Sequence, residues 1–205
     1  MILRRRRWAP MAVAGGVVLC LSVGACVVAA RQVSQKPAHE PVAAVTTAQR
    51  PQVAPAGVPV RLQIPAIGID AKIDGMGLTP AGDMEAPTGA HDTGWYKLGP
   101  RPGDVGSAVV AGHYGRWQNG DHSVFDDLHA LKAGDKIRVL DQQGVTVSFT
   151  VRTTRIFKHA DDARSVFTSD DAMAHLNLIT CQGTWSAAEK TYAERLVVFA
   201  DRDKP

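Results

Sequence analysis

The sequence predicts an all-β domain, either a closed barrel or a sandwich, preceded by one apolar N-terminal segment. Between Val60 and Ala200 the chain offers seven or eight short runs of alternating or β-branched residues. Gly-, Pro- and Asp-rich turns separate these runs, and the helical patterns among them are short. Ahead of them, Ala9 to Ala30 is uncharged and follows the basic run Arg4 to Arg7. There are no repeats, no phosphate-binding glycine motif and no heptads.

Four regions follow from this pattern: a basic cytoplasmic N-terminus at residues 1–8, a transmembrane anchor at 9–30, a Pro/Ala-rich extracellular linker at 31–59 and a folded domain at 60–205. A run of this length matches a bilayer-spanning helix of about 20 residues. The basic block ahead of it places the N-terminus in the cytoplasm and the remainder outside the cell membrane as a single-pass protein. Two other readings of the segment stay open: a cleaved signal peptide, and lipidation at Cys26 after Val23-Gly24-Ala25. All three export the domain. In the linker, Pro37, Pro41, Pro51, Pro55 and Pro59 interrupt any regular element and give a semi-extended spacer.

Within the domain, Val60 to Ile64 alternates and stops at Pro65, a first strand; Ile67 to Ile73 is a second. Asp74 to Gly94 is turn-rich, and Trp95-Tyr96 begins a short piece that packs under the domain. Ser107 to Ala111 reads as a central apolar strand ending at Gly112-His113. Phe125 to Leu131 suits a short helix. Lys136 to Leu140 and Val145 to Arg155 form a hairpin around Asp141 to Gly144. Ile156 to His175 is mostly loop, with a helical turn near Asp170 to His175. Leu176 to Cys181 and Arg195 to Ala200 are the last two strands, with Gln182 to Lys190 as a loop between them.

Charge narrows the function. The formal net charge is +3 from 23 basic and 20 acidic residues, but Arg4, Arg5, Arg6, Arg7 and Arg31 flank the apolar segment. Removing these five leaves 18 basic residues against 20 acidic ones, or −2, in the rest of the chain. A nucleic-acid partner is therefore not expected. Cys20 and Cys26 lie in the apolar segment, so Cys181 is alone in the domain and cannot build a disulfide framework there. A lone cysteine is either a small buried hydrophobe or a reactive thiol.

Reactivity requires partners. A thiolate needs a cationic or acid–base neighbour, which a histidine supplies. An arginine donates hydrogen bonds to a developing oxyanion and keeps its proton. Cys181 and His113 at strand ends, with Arg195 at a strand start, are the candidate set. Metal catalysis is not expected, because one cysteine and dispersed histidines fall short of a zinc site, and Asp121, Asp126 and Asp127 read as solvated loop carboxylates.

Three segments carry a family resemblance: Ala108-Val-Val-Ala-Gly-His113, Asn177-Leu-Ile-Thr-Cys181 and Arg195-Leu-Val-Val-Phe199. Over roughly Val60 to Ala200 the chain resembles the sortases, membrane-anchored cysteine transpeptidases of Gram-positive bacteria. Gln182-Gly183 after the cysteine looks closest to the actinobacterial class F type, with class E as the other candidate. The resemblance implies a closed eight-stranded β-barrel with short helices; no cofactor is expected. It implies Cys181 as nucleophile, His113 as the catalytic histidine and Arg195 as the catalytic arginine. Thr180, just before the nucleophile, is implied to assist the oxyanion or substrate. Tyr114 follows His113 where many relatives carry arginine or another polar residue, and Trp117 lies in the loop beyond it; with Val166 and Phe167 they are candidate peptide contacts. The implied partners are surface proteins bearing a C-terminal Leu-Pro-x-Thr-Gly-like signal and an amine acceptor from a cell-wall precursor or a pilin lysine. Two other readings are a non-catalytic tethered barrel that binds peptide or wall polymer, and a cysteine hydrolase that uses water as acceptor.

Overall fold

The computed structural model describes residues 56–204 except 118–119, 159–160 and 189–190, so the anchor expected at 9–30 and most of the linker lie outside the described residues. No helix among the described residues is long and apolar enough to cross a membrane. Eight strands occur in order: β1 (Pro59–Ile64), β2 (Ile69–Met76), β3 (Thr93–Tyr96), β4 (Gly106–Gly112), β5 (Lys136–Asp141), β6 (Thr146–Lys158), β7 (Ala174–Ser186) and β8 (Thr191–Arg202). One helical turn, α1 (Arg164–Phe167), and 3-10 turns at Pro65–Ile67 and Leu128–Ala130 complete the set.

Of the two expected architectures the barrel is the one formed. The strands close in the order β1-β2-β3-β4-β7-β8-β6-β5. The β2–β3 and β4–β7 pairs are parallel and the others antiparallel. Pro65 stops β1 and opens the 3-10 turn, because its ring fixes φ and removes a ladder donor. Gly68, at φ 66°, then reverses the chain into β2.

Alternation along the strands builds two apolar layers. Leu62, Ile137, Phe149, Leu176, Leu178 and Val198 fill the barrel. Val109, Ala111, Ile179, Val197 and Phe199 point outward, yet they are buried under Met84, Ala163 and Val166. Strands β4 and β7 are therefore apolar on both faces, which explains their near-continuous hydrophobic sequences. The Asn177 amide donates to the Val166 carbonyl at 2.7 Å and fixes α1 against β7.

Several local expectations change. The helical turn lies at Arg164–Phe167, not at Asp170 to His175, and His175 belongs to β7. The short helix expected at Phe125 to Leu131 is a 3-10 turn. Trp95-Tyr96 belongs to strand β3. Most of the expected Gln182 to Lys190 loop is strand: β7 runs on to Ser186 and β8 begins at Thr191. A register shift between Gln182 and Trp185, with Gly183 at φ 82°, lets this ribbon bend beyond the barrel.

Candidate active site

Two paired strands put Cys181 and Arg195 on one rung, and a third strand leads into His113. Cys181 on β7 is the direct register partner of Arg195 on β8. Facing residues of an antiparallel pair project to the same side, with Cβ atoms about 4.5–5.5 Å apart. On the other flank, Ala111 of β4 pairs with Ile179 of β7. β4 ends at Gly112, so His113 follows one residue beyond the strand, on the flank of β7 that leads to Cys181. Cys181 and Arg195 extend the rows Asn177–Ile179 and Phe199–Val197. The candidate set lies where the covered outer face of the barrel ends. Cys181 and Arg195 sit within their strands rather than at the strand ends expected from sequence.

Each member is held differently. Cys181 is a free thiol, half-buried. Arg195 is 4% exposed. Its guanidinium donates to the carbonyls of Tyr192 and Glu194, both at 2.9 Å, and to the Thr191 hydroxyl at 2.9 Å. The ribbon beyond Cys181 thereby fixes a permanent positive charge beside the thiol. His113 is half-buried, with its ring 4.8 Å from the Trp117 ring. Its Nε2 lies 2.6 Å from the Pro87 carbonyl oxygen. Thr180 is buried, and its hydroxyl donates to the Gly112 carbonyl at 2.8 Å. That bond clasps the end of β4 to β7 one residue before His113 and Cys181.

The proposed peptide contacts separate. The Trp117 ring is tilted against that of His113 at 58°. Tyr114 packs edge-on against Tyr192, at 5.4 Å. Phe167 meets Tyr96 edge-on at 5.7 Å, at the margin of the outer cluster. Val166 is completely buried within that cluster. This core position supports the groove wall but gives Val166 no surface for a peptide, which corrects its assignment as a contact.

Residues beyond the sequence-derived set also shape the site. Tyr192 stacks edge-on against Trp185, which is half-exposed, so an aromatic row borders the thiol. Burial, and after it the neighbouring Cys181, Tyr114 and Asp126, raises the Tyr192 phenol above its ordinary pKa. Asp126 organises the loop after His113: its carboxylate accepts the Gly115 N–H at 2.6 Å, the Ser123 N–H at 3.2 Å and a bond from His122 Nδ1 at 2.8 Å. On the barrel-end side of the rung, Tyr114, Phe125, Asp126, His129, Gln182 and Leu196 line a cavity of about 240 Å³. A β-former pattern at Thr184-Trp185 and Thr191-Tyr192 was the available signal for the aromatic row.

A closed barrel that presents a thiol and a guanidinium on paired strands, with an imidazole just past the end of a third, defines a thiol-enzyme scaffold. The sortase-domain family model matches residues 62–203, and the chain belongs to the sortase family. It is a sortase-type cysteine transpeptidase. Among solved structures it is similar to sortase C-1 from Actinomyces oris, at 23% identity and TM-score 0.57, over 71% of this chain and 74% of that one. Sortase A from Corynebacterium diphtheriae is similar at 25% identity and TM-score 0.56, over 76% of this chain and 65% of that one. Sortase C1 from Streptococcus agalactiae is similar at 22% identity and TM-score 0.54, over 71% and 67%. No curated protein sequence matches the chain.

Proposed function

We propose that this sortase cleaves a C-terminal Leu-Pro-x-Thr-Gly-like sorting signal through a Cys181 thioester and passes the protein to an amine of the cell wall or a pilin. The register pairing of Cys181 with Arg195 carries the reading, because it fixes a cation beside the one free thiol of the described residues. The Cys181 sulfur attacks the threonine carbonyl, and the carbonyl electrons move to oxygen. Arg195 steadies that oxyanion without exchanging a proton. As the C–N bond breaks, His113 gives its proton to the departing amine. An incoming amine then attacks the thioester, its proton passes to His113 and the C–S bond breaks.

Tyr114, Trp117 and Phe167 are the candidate peptide contacts, and Thr180 acts by holding β4 to β7. The Gln182-Gly183 pair after the thiol supports an actinobacterial class F type, with class E as the other candidate. Residues 9–30 serve as the membrane anchor and place residues 60–205 outside the cell; the charge pattern of the first 31 residues supports this topology.

The test incubates full-length enzyme in detergent with a fluorescent sorting peptide, with and without an amine. The expected result is cleavage, a trapped adduct on Cys181 and a ligated product only with amine. Cleavage without ligation at any amine concentration would favour the hydrolase. Binding without cleavage would favour the non-catalytic barrel.

A further inference from the structure

The strongest unassigned contact at the site is made by a backbone atom. Between β2 and β3 the chain forms an ordered arm. Leu78 and Met84 form a bridge, the Thr79 N–H donates to the Asp83 carbonyl at 2.8 Å, and the Gly77 N–H donates to the Glu85 carboxylate at 2.7 Å. Met84 anchors the arm in the outer cluster. Further along, the Ala90 carbonyl accepts the Val124 N–H at 2.8 Å, which ties the arm to the loop after His113. Between these anchors Pro87 is buried, and its carbonyl oxygen meets His113 Nε2 at 2.6 Å.

We infer that the Pro87 carbonyl is a positioning group that fixes His113 as the Nε2–H tautomer and reserves Nδ1 for proton exchange. The chemistry is one-sided. A carbonyl oxygen only accepts, so a hydrogen bond at this distance requires a proton on Nε2. In the imidazolium both nitrogens carry protons; in the neutral ring only one does, and its identity follows the stronger partner. With Nε2–H held by Pro87, the proton lost and regained in each half-reaction is the one on Nδ1. The Trp117 ring at 4.8 Å limits tilting of the imidazole, so the carbonyl and the indole together set its orientation. The catalytic consequence rests on the proposed acid–base role of His113; the tautomer itself does not.

Side-chain replacement cannot remove a main-chain oxygen, so the test is an amide-to-ester exchange in the full-length protein. Replacing Thr88 by its α-hydroxy counterpart turns the Pro87–Thr88 amide into an ester, leaving the carbonyl in place as a weaker acceptor. The Thr88 N–H that is lost donates to no acceptor among the described residues. Nitrogen NMR of imidazole-labelled enzyme, assigned through His113→Ala, reads the tautomer without any substrate. Wild type should show a protonated Nε2 and a bare Nδ1 in the neutral ring, and the ester should populate the other tautomer. Turnover of a sorting peptide by the ester should fall roughly threefold to tenfold, the size expected for one weakened hydrogen bond, with KM for the peptide unchanged. Pro87→Ala keeps the carbonyl and loses ring packing, so it should lower the melting temperature and leave the tautomer unmoved. A wild-type Nδ1–H ring, a tautomer that does not move in the ester, or an unchanged kcat in the ester would each overturn the inference. A wild type that cleaves no sorting peptide would instead count against the proposed transpeptidation, while the tautomer would still be decided by the spectrum.

Discussion

Cys181 and Arg195 are direct partners across the antiparallel β7–β8 pair, and Arg195 is 4% exposed. A buried guanidinium bonded to Tyr192, Glu194 and Thr191 is not a solvated surface charge. Its position is set by the same ladder that sets the thiol, so the two cannot drift apart without opening the ribbon.

Replacing Arg195 by Lys tests that relationship. Lysine keeps the charge but cannot reproduce the planar fork that reaches three acceptors. We expect kcat/KM to fall by about 10²–10³, the usual cost of losing one oxyanion donor. The melt should also drop, because hydrogen bonds to charged groups contribute about 1.5–3 kcal/mol. Steady-state kinetics beside thermal denaturation checks both; near-normal turnover would remove Arg195 from the chemistry.

Cys181→Ala should fold normally and form no acyl-enzyme, since Thr180 is engaged by Gly112 and neither it nor Ser186 has a thiol's nucleophilicity. Mass spectrometry after incubation with sorting peptide is the measurement. An adduct on any other residue would refute the assignment.

Thr180→Val removes the hydroxyl that clasps β7 to the Gly112 carbonyl and preserves side-chain shape. The expected stability loss is about 0.5–1.5 kcal/mol. Turnover should fall less than in His113→Ala, because Thr180 positions the rung and does not transfer a proton. Loss as large as in the histidine variant would give Thr180 a direct role.

The opposite end of the β7–β8 pair predicts a pH effect on stability. His175 faces Asp201 in register; its Nδ1 lies 2.8 Å from the Asp201 carboxylate and its Nε2 2.7 Å from that of Asp171. Burial works against the charged ring, but these two bonds outweigh it and raise the His175 pKa above its ordinary 6.5. The hydrogen bond from His175 likewise lowers the Asp171 pKa. The histidine contribution is complete below its unfolded pKa and is lost as pH rises through the raised folded value. The aspartate contribution is present above its unfolded pKa and is lost as pH falls through the lowered one. The difference in melting temperature between wild type and His175→Gln should therefore be widest between these limits and shrink toward alkaline pH. A constant difference up to alkaline pH would contradict the pairing.

The site was legible where chemistry is carried by residue type. The thiol, imidazole and guanidinium stand in recognisable segments, and the β-branched runs around them mark strands. The ribbon beyond Cys181 was not legible as strand, because Gly183 and the Ala-, Glu- and Lys-containing stretch after Ser186 dilute the alternation that the cross-strand pairs of Trp185 with Tyr192 restore. His175 suited a helical turn by its neighbours and became strand through pairing with Asp201. The Pro87 carbonyl carries no residue-type signal at all, since every residue has one.

By itself the sequence determined an all-β domain and the three candidate groups for thiol chemistry, because side-chain chemistry and two-residue alternation are local properties. Only the tertiary structure decided between barrel and sandwich, paired position 181 with 195 on one rung, and set β4, which leads into position 113, parallel to β7 on the other flank. Register depends on how strands distant in sequence close around a shared core, and a slip of one residue would turn every side chain to the other face.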